Sequence, residues 1–276
     1  SKTGRSLELI ADGNQVAVIN DVLVGEVWLA AGQSNMQFPV RQIVKQLPEA
    51  RSWVATCQLP VIRMRRINDP VLPDREARAK DLQSGDQWVR MTPDSVINFS
   101  AVAAIYARNL YEALNVPVGI MDVSWGGKPI EPFIPRETFS KTALLRKIRH
   151  LADAGAMDEL AKLPGGVIIR NPEGHPGAIF NARMFPVAPF GLRGFIWYQA
   201  ESNCGKGEDP RDYRHKQKSM IEGWRIAWGN EQLPCYYVQL PSFPGASGWI
   251  RMREEQRRAL AVPHTGMVVT IDVRGE

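Results

Sequence analysis

Apolar and polar positions along this chain fall into blocks whose period changes from two to about three and a half. Residues 27–31, 61–65, 118–123, 194–198, 235–240 and 267–271 are short runs rich in β-branched and aromatic side chains, and each predicts a strand. Between them lie helical stretches. Residues 101–114 place Ala104, Tyr106 or Ala107, Leu110, Tyr111 and Leu114 at helical spacing, and 212–228 and 251–261 are similar amphipathic runs. Strands alternating with helices predict an α/β fold around a mostly parallel sheet covered on both faces. In such sheets functional residues gather beyond the carboxyl ends of the strands.

Ahead of this alternation, residues 7–10 and 16–19 flank Asp12-Gly13-Asn14, the pattern of a β-hairpin. Two strands alone make no stable sheet, so the hairpin is expected to belong to a larger β module or to pack on the main domain. The expected division is a hairpin segment over 1–20 and a main domain over 21–276. Residues 70–88 and 163–176 carry proline, glycine and charge without periodicity and are expected to be surface excursions, which in α/β enzymes often wall the site.

Composition narrows the classes. With 276 residues, 44% of them apolar and 23% charged, the chain can bury a large core. No apolar run reaches the roughly 18 residues that cross a bilayer, so no membrane partner is expected. The net charge of +5 is spread over mixed-sign stretches such as 251–258, without a basic block interleaved with aromatics, which argues against nucleic acid. Three cysteines, Cys57, Cys204 and Cys235, fit neither a metal-site spacing nor a fully paired disulfide framework.

Three strand ends carry residues unsuited to mere packing. The first is Gly32-Gln33-Ser34-Asn35, where an apolar strand presents one serine just past its end. A serine hydroxyl is a poor nucleophile unless a base reaches its Oγ and N–H groups face the developing oxyanion, and a strand followed by a helix start supplies such N–H groups. The second is Ser124-Trp125-Gly126-Gly127-Lys128-Pro129-Ile130-Glu131, where paired glycines let the backbone approach a ligand. The third, Trp197-Tyr198-Gln199-Ala200-Glu201-Ser202-Asn203, is an aromatic strand ending in amides and a carboxylate. One nucleophile, a glycine N–H and an amide side chain converging on a crevice form an oxyanion-hole arrangement.

These blocks resemble the SGNH (GDSL-type) hydrolases, specifically the sialate O-acetylesterase group and its acetylxylan esterase relatives. Residues 21–36, 192–203, Trp224-Arg225, 253–261 and 265–272 extend the resemblance from about Asp21 to the end of the chain. It implies a three-layer α/β/α fold and removal of acetyl groups from acetylated carbohydrate, without metal or organic cofactor. Ser34 matches the nucleophile; its own N–H, that of Gly126 or Gly127, and Gln199 or Asn203 match the oxyanion donors. Gln199 is favoured because it sits at the strand end, while Asn203 lies a helical turn further on. Gln33 and Asn35 are expected to bind substrate. Glu131 and Glu201 are expected to order the site, to grip sugar hydroxyls, or to be plain buried acids. At Ala200 the family usually has glycine. The family's substrates lie mostly outside the cytoplasm, which implies a secreted or periplasmic protein; oligomeric state is unread.

The resemblance also implies a histidine base in an Asp-x-x-His stretch shortly after a strand like 268–272, and a counterpart is expected beyond Glu276. Of the four histidines present, His150 and His215 read as solvated surface, His264 lies at the wrong end of its strand, and His175 sits in a Gly-Pro loop. The rival reading is a catalytically silent sugar-binding or scaffold domain that keeps the crevice and lacks a base.

Overall fold

A computed structural model describes residues 4–12, 14–72, 78–83, 87–163, 172–188, 190–204, 209–243 and 248–272. The strands are β1 (Arg5–Ala11), β2 (Asn14–Val22), β3 (Glu26–Gly32), β4 (Leu59–Arg66), β5 (Val89–Met91), β6 (Val118–Asp122), β7 (Gly194–Tyr198), β8 (Cys235–Val238) and β9 (Thr265–Val268). The α-helices are α1 (Ser34–Gln37), α2 (Val40–Gln46), α3 (Ala50–Ala55), α4 (Pro93–Val96), α5 (Ala101–Leu114), α6 (Ala143–Asp153), α7 (Met157–Ala161), α8 (Tyr213–Ala227) and α9 (Trp249–Arg258).

Seven strands form one sheet in the order β5-β4-β6-β3-β7-β8-β9, parallel throughout except for the β4–β5 pair. The central strand β3 is flanked by β6 and β7, because the chain winds first toward β4 and then crosses back. Crevices open at such reversals beyond the carboxyl ends. Alternation along β3 shows why both faces are covered. Leu29 and Ala31 enter a core with Ile148 of α6, Trp224 of α8 and Met252 of α9. Trp28 and Ala30 enter the opposite core with Met36 of α1, Val40 of α2 and Ala104 of α5. A side chain such as Trp224 or Phe195, fully buried, contributes about 1.5–3 kcal/mol each. The expected α/β fold with three layers is thus observed.

Caps set the helix bounds. Ser100 Oγ accepts from Ala103 N to open α5, which closes at Asn115 in the left-handed region. The helix start expected after Gly32 is α1, whereas strand β5 and helices α2 to α4 follow short segments with no sustained period, and none of these was expected from the pattern. The excursion expected over 163–176 is corrected at its described end: Gly174 and His175 are buried and lead into a buried π-turn, Phe180–Met184. Its residues 164–171 lie outside the described residues, as do 73–77 and 84–86 of the other excursion.

The hairpin exists as a separate two-stranded antiparallel sheet running to Val22, so residue 20 falls inside β2. It packs loosely. Leu9, Ile10 and Ile19 are about three-fifths exposed, and Asp21 ties it to the main sheet through Arg63 and Arg90. No helix among the described residues is long and apolar enough to cross a membrane.

Candidate active site

Glycine ends β3. Gly32 has φ +144°, and a Cβ there would lie 2.1 Å from Tyr198 O, so only glycine lets the chain leave the sheet beside β7. Gln33 N then donates to Tyr198 O at 3.0 Å, and α1 begins at Ser34. Helix α1 is pinned from below by buried Met36, whose carbonyl accepts from Ser100 Oγ at 2.5 Å. Ser34 itself is exposed.

Beyond β6 the backbone keeps following β3, with Trp125 N donating to Gly32 O at 2.9 Å. That contact carries the two glycines to the serine. Gly127 N donates to Ser34 Oγ at 3.3 Å, and Gly126 N donates to Gln37 Oε1 at 2.8 Å. A Cβ on Gly126 would lie 2.7 Å from Gln37 Oε1 and 3.6 Å from Ser34 Oγ. Ser34, Gly126 and Gly127 are therefore brought together as expected from the sequence, and Ser34 N–H heads a first turn whose donors the helix itself leaves without acceptors.

Gln199 and Asn203 stand elsewhere. Both are buried; Gln199 Nε2 donates to Gln33 Oε1 and Asn203 Oδ1 at 2.9 Å each, and Gln199 Oε1 accepts from Tyr213 OH at 2.7 Å. Asn203 Nδ2 faces both Glu131 oxygens, and Asn203 Oδ1 accepts from Ile130 N. The expectation that one of these amides faces the oxyanion is thus corrected: their donors are taken up by buried partners, Gln33, Asn203 and Glu131. Gln33, expected at the substrate, is buried in the same network, where its Oε1 also accepts from Ser202 N. Glu131 is fully buried and pairs with buried Lys216 at 2.6 Å, so in this structure it is an interior acid.

Asn35 and Glu201 lie nearer the surface and are joined, Nδ2 to Oε1, at 2.6 Å. Burial pushes the Glu201 carboxyl above its ordinary value of 4.5, opposed by hydrogen bonds from its own and the Ala200 N–H and from Asn35. Ala200 holds φ +156°, a conformation that favours glycine.

A cavity of about 380 Å³ opens beside Ser34, lined also by Gln37, Phe38, Pro39, Arg41, Gln42, Arg66 and Gly126. Gln37, Arg41 and Arg66 were not singled out from the sequence. Arg66 had a legible signal, since it directly follows an expected strand. Trp28 and Trp197 are core, while Trp125 is half-buried, with the Arg183 guanidinium 3.8 Å and the Lys128 ammonium 5.4 Å from its ring.

No histidine lines this cavity among the described residues. His150 and His215 are exposed, as expected; His264 is exposed at the start of β9; His175 is buried, with Nδ1 3.1 Å from Pro176 O. The literal Asp-x-x-His of the sequence, Asp212 to His215, opens α8, and Arg214 Nε donates to His215 Nε2 at 3.1 Å. Cys57, Cys204 and Cys235 are each buried and none forms a disulfide with another. Among the described residues no cluster of three or more His, Cys, Asp or Glu could hold a metal ion.

A serine beside glycine N–H groups at the carboxyl ends of a parallel sheet is an arrangement in which a hydroxyl can act as a nucleophile with donors facing an oxyanion. The comparisons carry the assignment further. Residues 178–276 match the family described as SASA, carbohydrate esterase, sialic acid-specific acetylesterase, and the resemblance to the sialate O-acetylesterase group is borne out. The chain is 29% identical over 213 residues to human sialate O-acetylesterase, covering 75% of this chain and 36% of that protein. It is 30% identical over 250 residues to the rat sialate O-acetylesterase, covering 82% and 45%. The chain thus spans between about a third and a half of these relatives' length. A solved carbohydrate acetylesterase from Xanthomonas citri shares the fold with a TM-score of 0.78 at 29% identity, over 98% of this chain and 55% of that one.

Proposed function

We propose that this chain hydrolyses O-acetyl esters of carbohydrates, with residues 21–276 as its catalytic domain and Ser34 as nucleophile. The observation that carries the reading is the exposed Ser34 Oγ at the end of the central strand, within 3.3 Å of the Gly127 N–H. Ser34 Oγ adds to the acetyl carbonyl carbon and gives up its proton to a base. The N–H groups of Ser34, Gly126 and Gly127 take the negative oxygen, and the sugar leaves with a proton returned by the base. Water then releases acetate by the same steps in reverse order. Gln33, Gln199, Asn203 and Glu131 act as positioning residues that hold the end of β7 against α1. Asn35 and Glu201 are the candidates for contact with the substrate's hydroxyls.

The base implied by the resemblance is a histidine behind a strand like 268–272. Strand β9 runs parallel to β8, with Gln239 N donating to Val268 O at 2.9 Å, so the chain leaving β9 emerges on the same face as Ser34. A compartment outside the cytoplasm, where acetylated glycans are met, is part of this proposal, and cell fractionation checks it.

The test is acetate release from a small aryl acetate by the protein in its full native length. Ser34→Ala is expected to lower kcat by roughly 10³-fold or more while the fold persists. An inactive wild type, or activity indifferent to Ser34→Ala, overturns the reading and leaves a sugar-binding crevice.

A further inference from the structure

Just ahead of the glycines that meet Ser34, a carboxylate is folded back on its own chain. Asp122 ends β6, where its carbonyl accepts from Ile67 N at 2.9 Å and its buried side chain turns to residue 124. Oδ1 accepts from Ser124 N at 2.9 Å and from Ser124 Oγ at 2.5 Å, a turn in which a side chain stands in for a backbone acceptor. The next residue, Trp125, donates its N–H to Gly32 O, and Gly126 and Gly127 then reach Gln37 and Ser34. The Asp122 side chain thus sets the direction in which the backbone leaves β6 toward the serine.

Two arginines answer its charge. Arg66, which the parallel register pairs with Asp122, and Arg183 of the π-turn both act on the carboxylate through space. Arg183 is itself buried, with Nε donating to Asp69 O at 2.7 Å and its guanidinium 3.8 Å from the Trp125 ring. Burial pushes the Asp122 carboxyl above its ordinary value of 3.8, against the pull of Ser124 and of both arginines.

We infer that Asp122 is a positioning residue for the oxyanion donors: its ionised carboxylate holds the turn at Ser124 and so aims the Gly126 and Gly127 N–H groups at the reacting oxygen beside Ser34. An ionised acceptor holds its donors about twice as strongly as a neutral one. On protonation Oδ1 loses that grip while Arg66 and Arg183 lose their counter-charge, so residues 124–127 loosen as the pH falls through the carboxyl's raised value. The inference rests on the esterase reading above for its catalytic consequence, and it adds an acid-sensitive element to that site.

The first experiment reads the donors themselves. In protein carrying isotope-labelled glycine, the Gly126 and Gly127 amide resonances are expected to shift together as acid is added, at a pH above the ordinary aspartate value. In Asp122→Asn, whose amide oxygen can accept the same two bonds without charge, that transition is absent. Resonances that titrate alike in wild type and Asp122→Asn, or that stay still in wild type, overturn the inference. Should Asp122→Asn fail to fold, Ser124→Ala serves in its place: it keeps the charge and removes one of the two bonds, and it is expected to displace the same two resonances. Resonances left in place by Ser124→Ala overturn the inference as well.

Kinetics separate the inference from the esterase reading. With an aryl acetate, Asp122→Asn is expected to lower kcat by about tenfold or more at nearly unchanged KM, and Ser124→Ala by a smaller factor, since loss of a whole oxyanion donor costs about 10²–10³-fold. The acid limb of kcat/KM steepens in wild type where Asp122 protonates and keeps the slope of the base alone in Asp122→Asn, a change that mere loss of stability does not produce. Unchanged kcat in a folded Asp122→Asn overturns the inference. Glycine resonances that follow Asp122 in a protein whose wild type releases no acetate remove the esterase and keep the anchored turn. Acetate release with glycine resonances indifferent to Asp122 does the opposite.

Discussion

The amide oxygen of Gln37 accepts from the N–H of Gly126, where in the proposed reaction a substrate carbonyl oxygen arrives. Substrate therefore displaces a hydrogen bond before it forms its own. Such a bond is worth about 0.5–1.5 kcal/mol net, so Gln37→Ala is expected to raise kcat/KM for an aryl acetate by about 2–10-fold. Steady-state kinetics check this, and Gln37→Glu should act the other way by setting a negative charge against the forming oxyanion. A fall in kcat for Gln37→Ala would instead show that Gln37 holds Gly126 in place. The neighbouring strain has a different character. Ala200, at φ +156°, keeps a methyl group where glycine is favoured, and Glu201 Oε2 steadies it by accepting from Ala200 N at 3.0 Å.

The elements around β7 are joined by polar groups that no apolar period foretells. From Gln33 through Gln199, Asn203 and Glu131 to Lys216, buried groups link α1, the turn after β7 and α8. The Lys216–Glu131 pair ends this line with both side chains almost fully buried, at 1% and 0% exposure. Removing one partner strands the other charge, so Lys216→Met is expected to cost about 3–5 kcal/mol, read as a lower urea midpoint at unchanged slope. Adding Glu131→Leu to it should recover a large part of that loss. The line also shows what could be read beforehand. The strands β3, β6 and β7 and the helix α5 were legible because their apolar runs are long and their ends are marked by Gly32, Ser100 and Asn115. Gln199 was placed correctly at a strand end, but position along a strand does not say whether a side chain faces the crevice or dives under it. The start of α1 was legible from the polar residues after Gly32, while α2 to α4 were not, since each is too short to show a period of its own.

At the scale of the whole molecule, the candidate site draws on residues that the chain separates widely. Gln33 and Ser34 follow β3, Arg66 closes β4, Gly126, Gly127 and Glu131 follow β6, and Gln199 and Asn203 follow β7. No local segment holds all of these parts, and only the seven-stranded sheet sets them side by side. The loosely packed hairpin lies outside this arrangement, tied mainly by Asp21. Under increasing urea, loss of aryl acetate hydrolysis is expected to coincide with the change in fluorescence of Trp197 and Trp224, both fully buried beneath the sheet. A transition in activity that clearly precedes the fluorescence change would show that the strand ends loosen separately. Because β6 must be in register with β3 before Ser34 meets the Gly127 N–H, and β7 must lie on the other side before Gln33 is held, turnover in the proposed reaction serves as a gauge of cooperativity: each event certifies that the molecule performing it has finished assembling its sheet.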